Sequence, residues 1–183
     1  MTKTIMTGHH FSIAYRFLYL GMGVAVFLAV YYIGAAMLIL PSQDAQTIRD
    51  DFTKQTENID QTGIFLNNVR VVLAMFVPGV GVGIGVYSAV VTGLVFNAFA
   101  QASPELAATS PLSIFSTGFG ILELLAYGLG ISRSGMIVAM LVKKQVRKEW
   151  KRLLLYTGIE VAIALVALVA GSAIESKAIE NSN

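Results

Sequence analysis

From Ile64 to Ala100 the chain carries a single charged residue, Arg70. Phe17–Leu40 carries none, and Leu153–Ile174 carries only Glu160. A helix needs about 20 mostly apolar residues to cross a hydrocarbon core about 30 Å thick, and each of these stretches supplies at least that many. In lipid every backbone N–H and C=O must be satisfied within the protein, which a helix does along its own length. The chain is therefore expected to be all-α: a polytopic helical membrane protein, a single domain of about five transmembrane helices. Composition agrees. Charged residues make up 13% and apolar residues 55% of the 183 positions, against about 25% charged in ordinary soluble domains. So few charges argue against a water-soluble enzyme, a nucleic-acid binder and a disordered chain. There is no cysteine, which excludes disulfides, thiolate metal sites and cysteine catalysis.

The first span is expected over 17–40. It is longer than the apolar core of a cleavable signal peptide, about 7–15 residues, so it reads as a permanent span. Gly21, Gly23, Gly34, Ala35 and Ala36 give it small-residue surface for close helix approach. Arg16, Tyr15 and Tyr19 stand where interfacial anchors belong. Pro41 ends the span. Segment 42–63 is polar, but Ala45, Ile48, Phe52 and Ile59 fall at helical offsets. It reads as a helix outside the bilayer, with a solvated loop as the alternative.

Residues 64–100 would make a helix about 55 Å long, too long for one crossing. Pro78-Gly79 is the natural break, giving spans 64–77 and 80–100. The first of these is short, and a re-entrant segment is the alternative. Span four is expected over 112–131, closed by Ser132-Arg133-Ser134-Gly135. A basic loop follows at 143–152, with Trp150 as an interface anchor, and 153–174 is the fifth span.

Charge placement orients these segments. Loop 143–152 holds six Lys or Arg; segment 42–63 holds two, against five acids; the stretch 101–111 holds none. The positive-inside rule places 143–152 in the cytoplasm and the other two outside, with five crossings of the cell membrane and a cytoplasmic N-terminus. The basic loop also suits anionic lipid headgroups.

The candidate functional residues are polar groups at membrane depth, where charge is costly and needs a partner or a polar cavity. They are Asn67, Asn68, Arg70, Glu123, Arg133 and Glu160. Arg70 is expected to pair with Glu123, and Arg133 with Glu160. Asn97 is a further polar group at depth. His9 and His10 are adjacent, about 100° apart on a helix, so they do not form a metal-binding pair; no metal and no cofactor is expected. Gly79, Gly81, Gly83 and Gly85 fail the dinucleotide spacing. They satisfy G-x-x-x-G twice, at Gly79/Gly83 and Gly81/Gly85, which reads as helix packing or as a lined cavity. The buried polar groups read equally as devices that fix helix register.

Several short motifs occur in a particular order: Asn67-Asn68; Gly79, Gly83 and Gly85; Gly120-Ile121-Leu122-Glu123-Leu124 followed by Ala126; then Ala173-Ile174-Glu175. Over roughly residues 60–178 this order resembles the stage II sporulation protein M family of integral membrane proteins. Phe119 stands where that family usually has histidine, and Thr92-Gly93 stands nearest its Asn-Gly pair. The resemblance implies a non-enzymatic scaffold or accessory subunit of a membrane protein complex, with other membrane proteins as partners and no nucleic acid. Its packing glycines would include Gly120. The alternative from the residues is a small transporter or channel using Arg70, Glu123 and Glu160 around the glycine-rich segment.

Overall fold

The computed structural model of the chain describes residues 12–57 and 61–180, the side chains of 61, 64 and 175–180 excepted. His9, His10, Ile59 and the Glu175 side chain lie outside it. The described residues are helical, with no strand among them. Helix α1, Ile13–Tyr32, is capped by the Ser12 hydroxyl, which accepts from the Tyr15 amide, and continues as a π-helical turn over Ile33–Met37. The polar helix α2 spans Ser42–Thr56, α3 Gln61–Met75 and α4 Gly81–Ala100. A single turn, α5, Pro104–Ala107, and a 3-10 stretch, Pro111–Ser116, lead into α6, Gly118–Val142. The last helix, α7, runs from Val146 to Glu180.

Four segments are long and apolar enough to cross a membrane: Ile13–Met37, Gly81–Ala100, Gly118–Val142 and Val146–Ile174. The apolar part of α3, Phe65–Met75, is shorter, about 16 Å at 1.5 Å per residue. The whole of α3, 15 residues, is about 22 Å long by the same rise, less than the ~30 Å thickness of a hydrocarbon core.

Two sequence expectations change. The fourth span does not lie over 112–131. Its first residues form the 3-10 turn, and the helix starts at Gly118 and runs unbroken through Ser132-Arg133-Ser134-Gly135. Nor is 143–152 a loop. A tight turn at Lys143–Gln145 leads directly into α7, whose first two turns carry Arg147, Lys148, Lys151 and Arg152. Lys144 takes the left-handed conformation there, φ 54°, and the Gln145 amide donates to the Met140 carbonyl at 2.9 Å. This pattern satisfies the orphan carbonyls of a helix end.

α6 is the centre of the bundle. Of its apolar window 61% is buried, against 28% or less for the other three spanning helices. It packs against α1, α3, α4 and α7. Phe27, Tyr31, Ala35, Met75, Ala89 and Ile131 form one core cluster; Val72, Phe76, Ala126, Leu129, Ala164 and Leu168 form another. The buried Tyr31 hydroxyl donates to the Pro111 carbonyl at 2.9 Å, so its polar end is satisfied. α2 lies against α4: Arg49 donates to the Ala98 carbonyl at 2.7 Å, and Phe52 meets Phe99 edge to face.

Glycines set the close approaches, though not all those expected. At Gly81 an added Cβ would strike the Met75 carbonyl and the Ser134 side chain, and at Gly85 it would strike Ile131. Gly79 makes no such contact. It occupies the α3–α4 turn at φ 82°, where glycine is suited by conformation. Gly83 is exposed with nothing near it, because it sits two positions from both buried glycines, on the other side of the helix. Gly120 fits against the Ile114 carbonyl in the turn that opens α6, rather than against a neighbouring helix.

Candidate functional site

The Ser132-Arg133-Ser134 segment reads as a helix breaker in isolation. Inside the bundle each of its side chains has a partner. The Ser132 hydroxyl bonds back to the Gly128 carbonyl at 2.5 Å and the Leu129 carbonyl at 3.1 Å. Ser134 donates to the Val77 carbonyl at 2.8 Å, across to the α3–α4 turn. Arg133 donates from Nε to Glu160 Oε2 at 2.7 Å and from Nη2 to Glu160 Oε1. Polar side chains satisfied in this way do not interrupt a membrane helix.

A second arginine completes the site. Arg16, in the first turn of α1, donates from Nε to Glu160 Oε1 and from Nη2 to Glu160 Oε2 at 2.7 Å. Its Nη1 donates to the Ser132 hydroxyl at 2.8 Å, and Nη2 lies 3.4 Å from the Leu129 carbonyl. The sequence pointed to Arg16 only as an interfacial anchor. Contacts on α1 run from Arg16 at Ser132 to Phe27 against Tyr127, so α1 and α6 are antiparallel. Their close approach depends on Gly23, where an added Cβ would lie 2.8 Å from the Gly128 carbonyl. That contact lets Arg16 reach the middle of α6.

The result is one carboxylate gripped by two guanidiniums in fork-to-fork geometry. Arg133 is 1% exposed and Glu160 7%. Each carboxylate oxygen accepts from both arginines, so the Glu160 lone pairs are taken up within the triad. The cluster carries a net charge of +1, and Arg133 Nη1 is buried with no hydrogen-bond partner among the described residues. A cavity of about 350 Å³ opens beside the three charges, between α1, α6 and α7.

The other expected pair does not form. On α3, Asn68 donates from Nδ2 to Glu123 Oε1 at 2.7 Å, while Arg70 is exposed and makes no ion pair among the described residues. Two residues along a helix turn the side chain by about 200°. With Asn68, Val72 and Met75 on the inward face, Arg70 must point away. Asn67, next to Asn68, is also exposed. Elsewhere, Asn97 donates to the Gly34 and Leu38 carbonyls at 3.3 and 3.1 Å, satisfying groups that the π-helical turn leaves open. Among the described residues no group of three His, Cys, Asp or Glu side chains converges.

Comparison with protein-family models, with curated proteins and with solved structures finds no match to the chain. The likeness to the stage II sporulation protein M family therefore rests on the short motifs alone. Of these, Asn68 and Glu123 meet across α3 and α6.

Proposed function

We propose that the chain is a non-catalytic scaffold or accessory subunit of a larger membrane assembly. In this reading it sits in the cell membrane with its N-terminus on the cytoplasmic side, and the motif resemblance implies the same role. The observation that carries it is the uncovered face of α1. Gly21, Ala25 and Ala29 recur every fourth residue, all exposed, and a Cβ added at Gly21 would meet nothing within 4 Å. Small residues at that spacing let a second membrane helix approach closely. The polar groups at depth support the same reading, because they tie the chain's own helices together. The basic side chains from Lys143 to Arg152 suit the anionic headgroups of the cytoplasmic leaflet.

The transporter alternative draws on Arg70, Glu123 and Glu160 together. Of these, Arg70 is exposed, Glu123 is bonded to Asn68 and Glu160 is clamped between two arginines. The deciding experiment is purification of the full chain in mild detergent, with mass spectrometry of what accompanies it. Gly21→Leu with Ala25→Leu adds bulk only to the exposed face, so the unfolding midpoint should hold. The accompanying subunit should fall at least tenfold. A lone, monodisperse protein, or a subunit retained by the double variant, refutes the proposal.

A further inference from the structure

The buried triad carries one positive charge in excess, and a cavity opens beside it. Arg16 and Arg133 bring two positive charges against the single negative charge of Glu160. Each Glu160 oxygen is shared between the two arginines, and Arg133 Nη1 has no acceptor among the described residues. Arg133 is 1% exposed, and its Nη1 is shut off from the cavity as well as from solvent; Arg16, its side chain 18% exposed, is the guanidinium that faces the cavity. All three charged side chains line the cavity of about 350 Å³. The remaining walls are mostly apolar, chiefly Phe17, Leu20, Leu125, Leu129 and Ile163, with Tyr156 of α7 the one further side chain that carries a polar group. That volume falls within the range of small-molecule sites, about 300–1,000 Å³.

We propose that this cleft binds an amphipathic anion: a carboxylate or phosphate head on the Arg16 guanidinium, drawn by the excess charge of the Arg16–Arg133 pair, with an acyl chain along Phe17, Leu20, Leu125 and Ile163. The head accepts from Arg16, the more exposed of the two guanidiniums, and neutralises the excess charge of the pair. The chain covers walls that a simple ion would leave bare. The depth fits. Arg16 lies in the first turn of α1, close to one end of that spanning segment. Along α7, Glu160 lies about 12 Å from Arg152, the end of the basic segment, at 1.5 Å per residue. The proposal does not rest on the subunit reading: the head site is built on Arg16, although Phe17 lies one turn before Gly21 on the same row of α1, so the cleft adjoins the small-residue face.

The test is native mass spectrometry of the full chain in neutral detergent. The probes are oleate, a phosphatidylglycerol, a phosphatidylcholine with the same chains, and inorganic phosphate. One bound oleate or phosphatidylglycerol is expected, at least tenfold tighter than phosphatidylcholine. Oleate alone would identify a free fatty acid as the source, and phosphatidylglycerol alone a membrane lipid. Ile163→Trp fills the apolar wall from a half-exposed position without touching the charges, and should weaken both at least tenfold. Arg133→Met should abolish the preference for an anionic head. Should Arg133→Met fail to fold, Ile163→Trp still decides. Three results would overturn the proposal. They are no preference over phosphatidylcholine, unchanged binding in Ile163→Trp, or inorganic phosphate binding as tightly as the amphiphiles. An acidic helix of a co-purifying subunit seated on Arg16 would also overturn it.

Discussion

Removing Glu160 should cost far more than removing either arginine it holds. The carboxylate is the one negative charge in contact with two guanidiniums, and it accepts from Nε and Nη2 of both. Glu160→Gln keeps the volume, but it turns an acceptor into a donor facing donors and leaves two like charges buried side by side. Breaking a buried ion pair by removing one partner typically costs about 3–5 kcal/mol, most of it from the stranded charge. Here two charges are stranded, so the upper end of that range is expected. Arg16→Met is a different perturbation. It loses its bonds to Glu160 and Ser132, each worth about 1.5–3 kcal/mol at most for a charged group, but it leaves a neutral Arg133–Glu160 pair and relieves the repulsion. Its net cost should be about 1–2 kcal/mol on the same scale. Arg133→Met should likewise leave a neutral pair, Arg16–Glu160. The assay is unfolding of the purified chain in neutral detergent by titration with dodecyl sulfate, followed by far-ultraviolet circular dichroism. Glu160→Gln should show the earliest midpoint of the three. If either arginine variant is destabilised as much as Glu160→Gln, the account of an excess positive charge is wrong.

Three further expectations use the same measurement. Gly93→Val should destabilise by about 1–3 kcal/mol, the usual cost of overpacking, because its Cβ would strike the Tyr31 carbonyl and crowd the Ala35 amide. Gly83→Ala, in open space on the same helix, should hold stability or raise it by up to about 1 kcal/mol, and a loss equal to that of Gly93→Val would refute the packing argument. Asn97→Leu should cost about 1–3 kcal/mol by leaving the Gly34 and Leu38 carbonyls without their donor; a neutral result would mean that those carbonyls are otherwise satisfied. Lys144→Gly should stabilise by about 1 kcal/mol, because it relieves a side chain held at φ 54°. A loss of stability there would show that the lysine side chain has a structural role.

The fold class was legible because lipid imposes it. Long charge-poor runs force helices, and Pro78-Gly79 places the turn between α3 and α4 where the structure has it. Boundaries were less legible where local chemistry was read without its neighbours. Ser132-Arg133-Ser134-Gly135 carries every mark of a helix end. Those marks are cancelled by Glu160, Arg16 and the Val77 carbonyl, which come from three other parts of the chain. Likewise 143–152 looks like a loop because it is charged, yet helices extending beyond a membrane are charged too. The Arg70 expectation failed for another reason. Position along a helix sets depth, but the angle around it sets the partner, and that angle gives Glu123 to Asn68.

Arg16 was the residue most nearly within reach. Along α1 the residues turned inward are Leu20, Gly23, Phe27, Tyr31 and Gly34, at steps of three and four. Carrying that stripe one turn back from Leu20 lands on Arg16. A charge on the inward stripe of a membrane helix is no anchor, since an anchor must reach the interface from the outer face. It must meet an opposite charge inside the bundle, and only Glu123 and Glu160 were placed at depth by the sequence. Glu160 lies in the half of α7 nearer the basic segment. Arg16 shares that side if the N-terminus and the basic segment face the same compartment, as the charge count proposes. The stripe and the charge count together therefore select the Arg16–Glu160 contact. The excess positive charge of the triad, and with it the case for a bound anion, follows from counting Arg133 beside them.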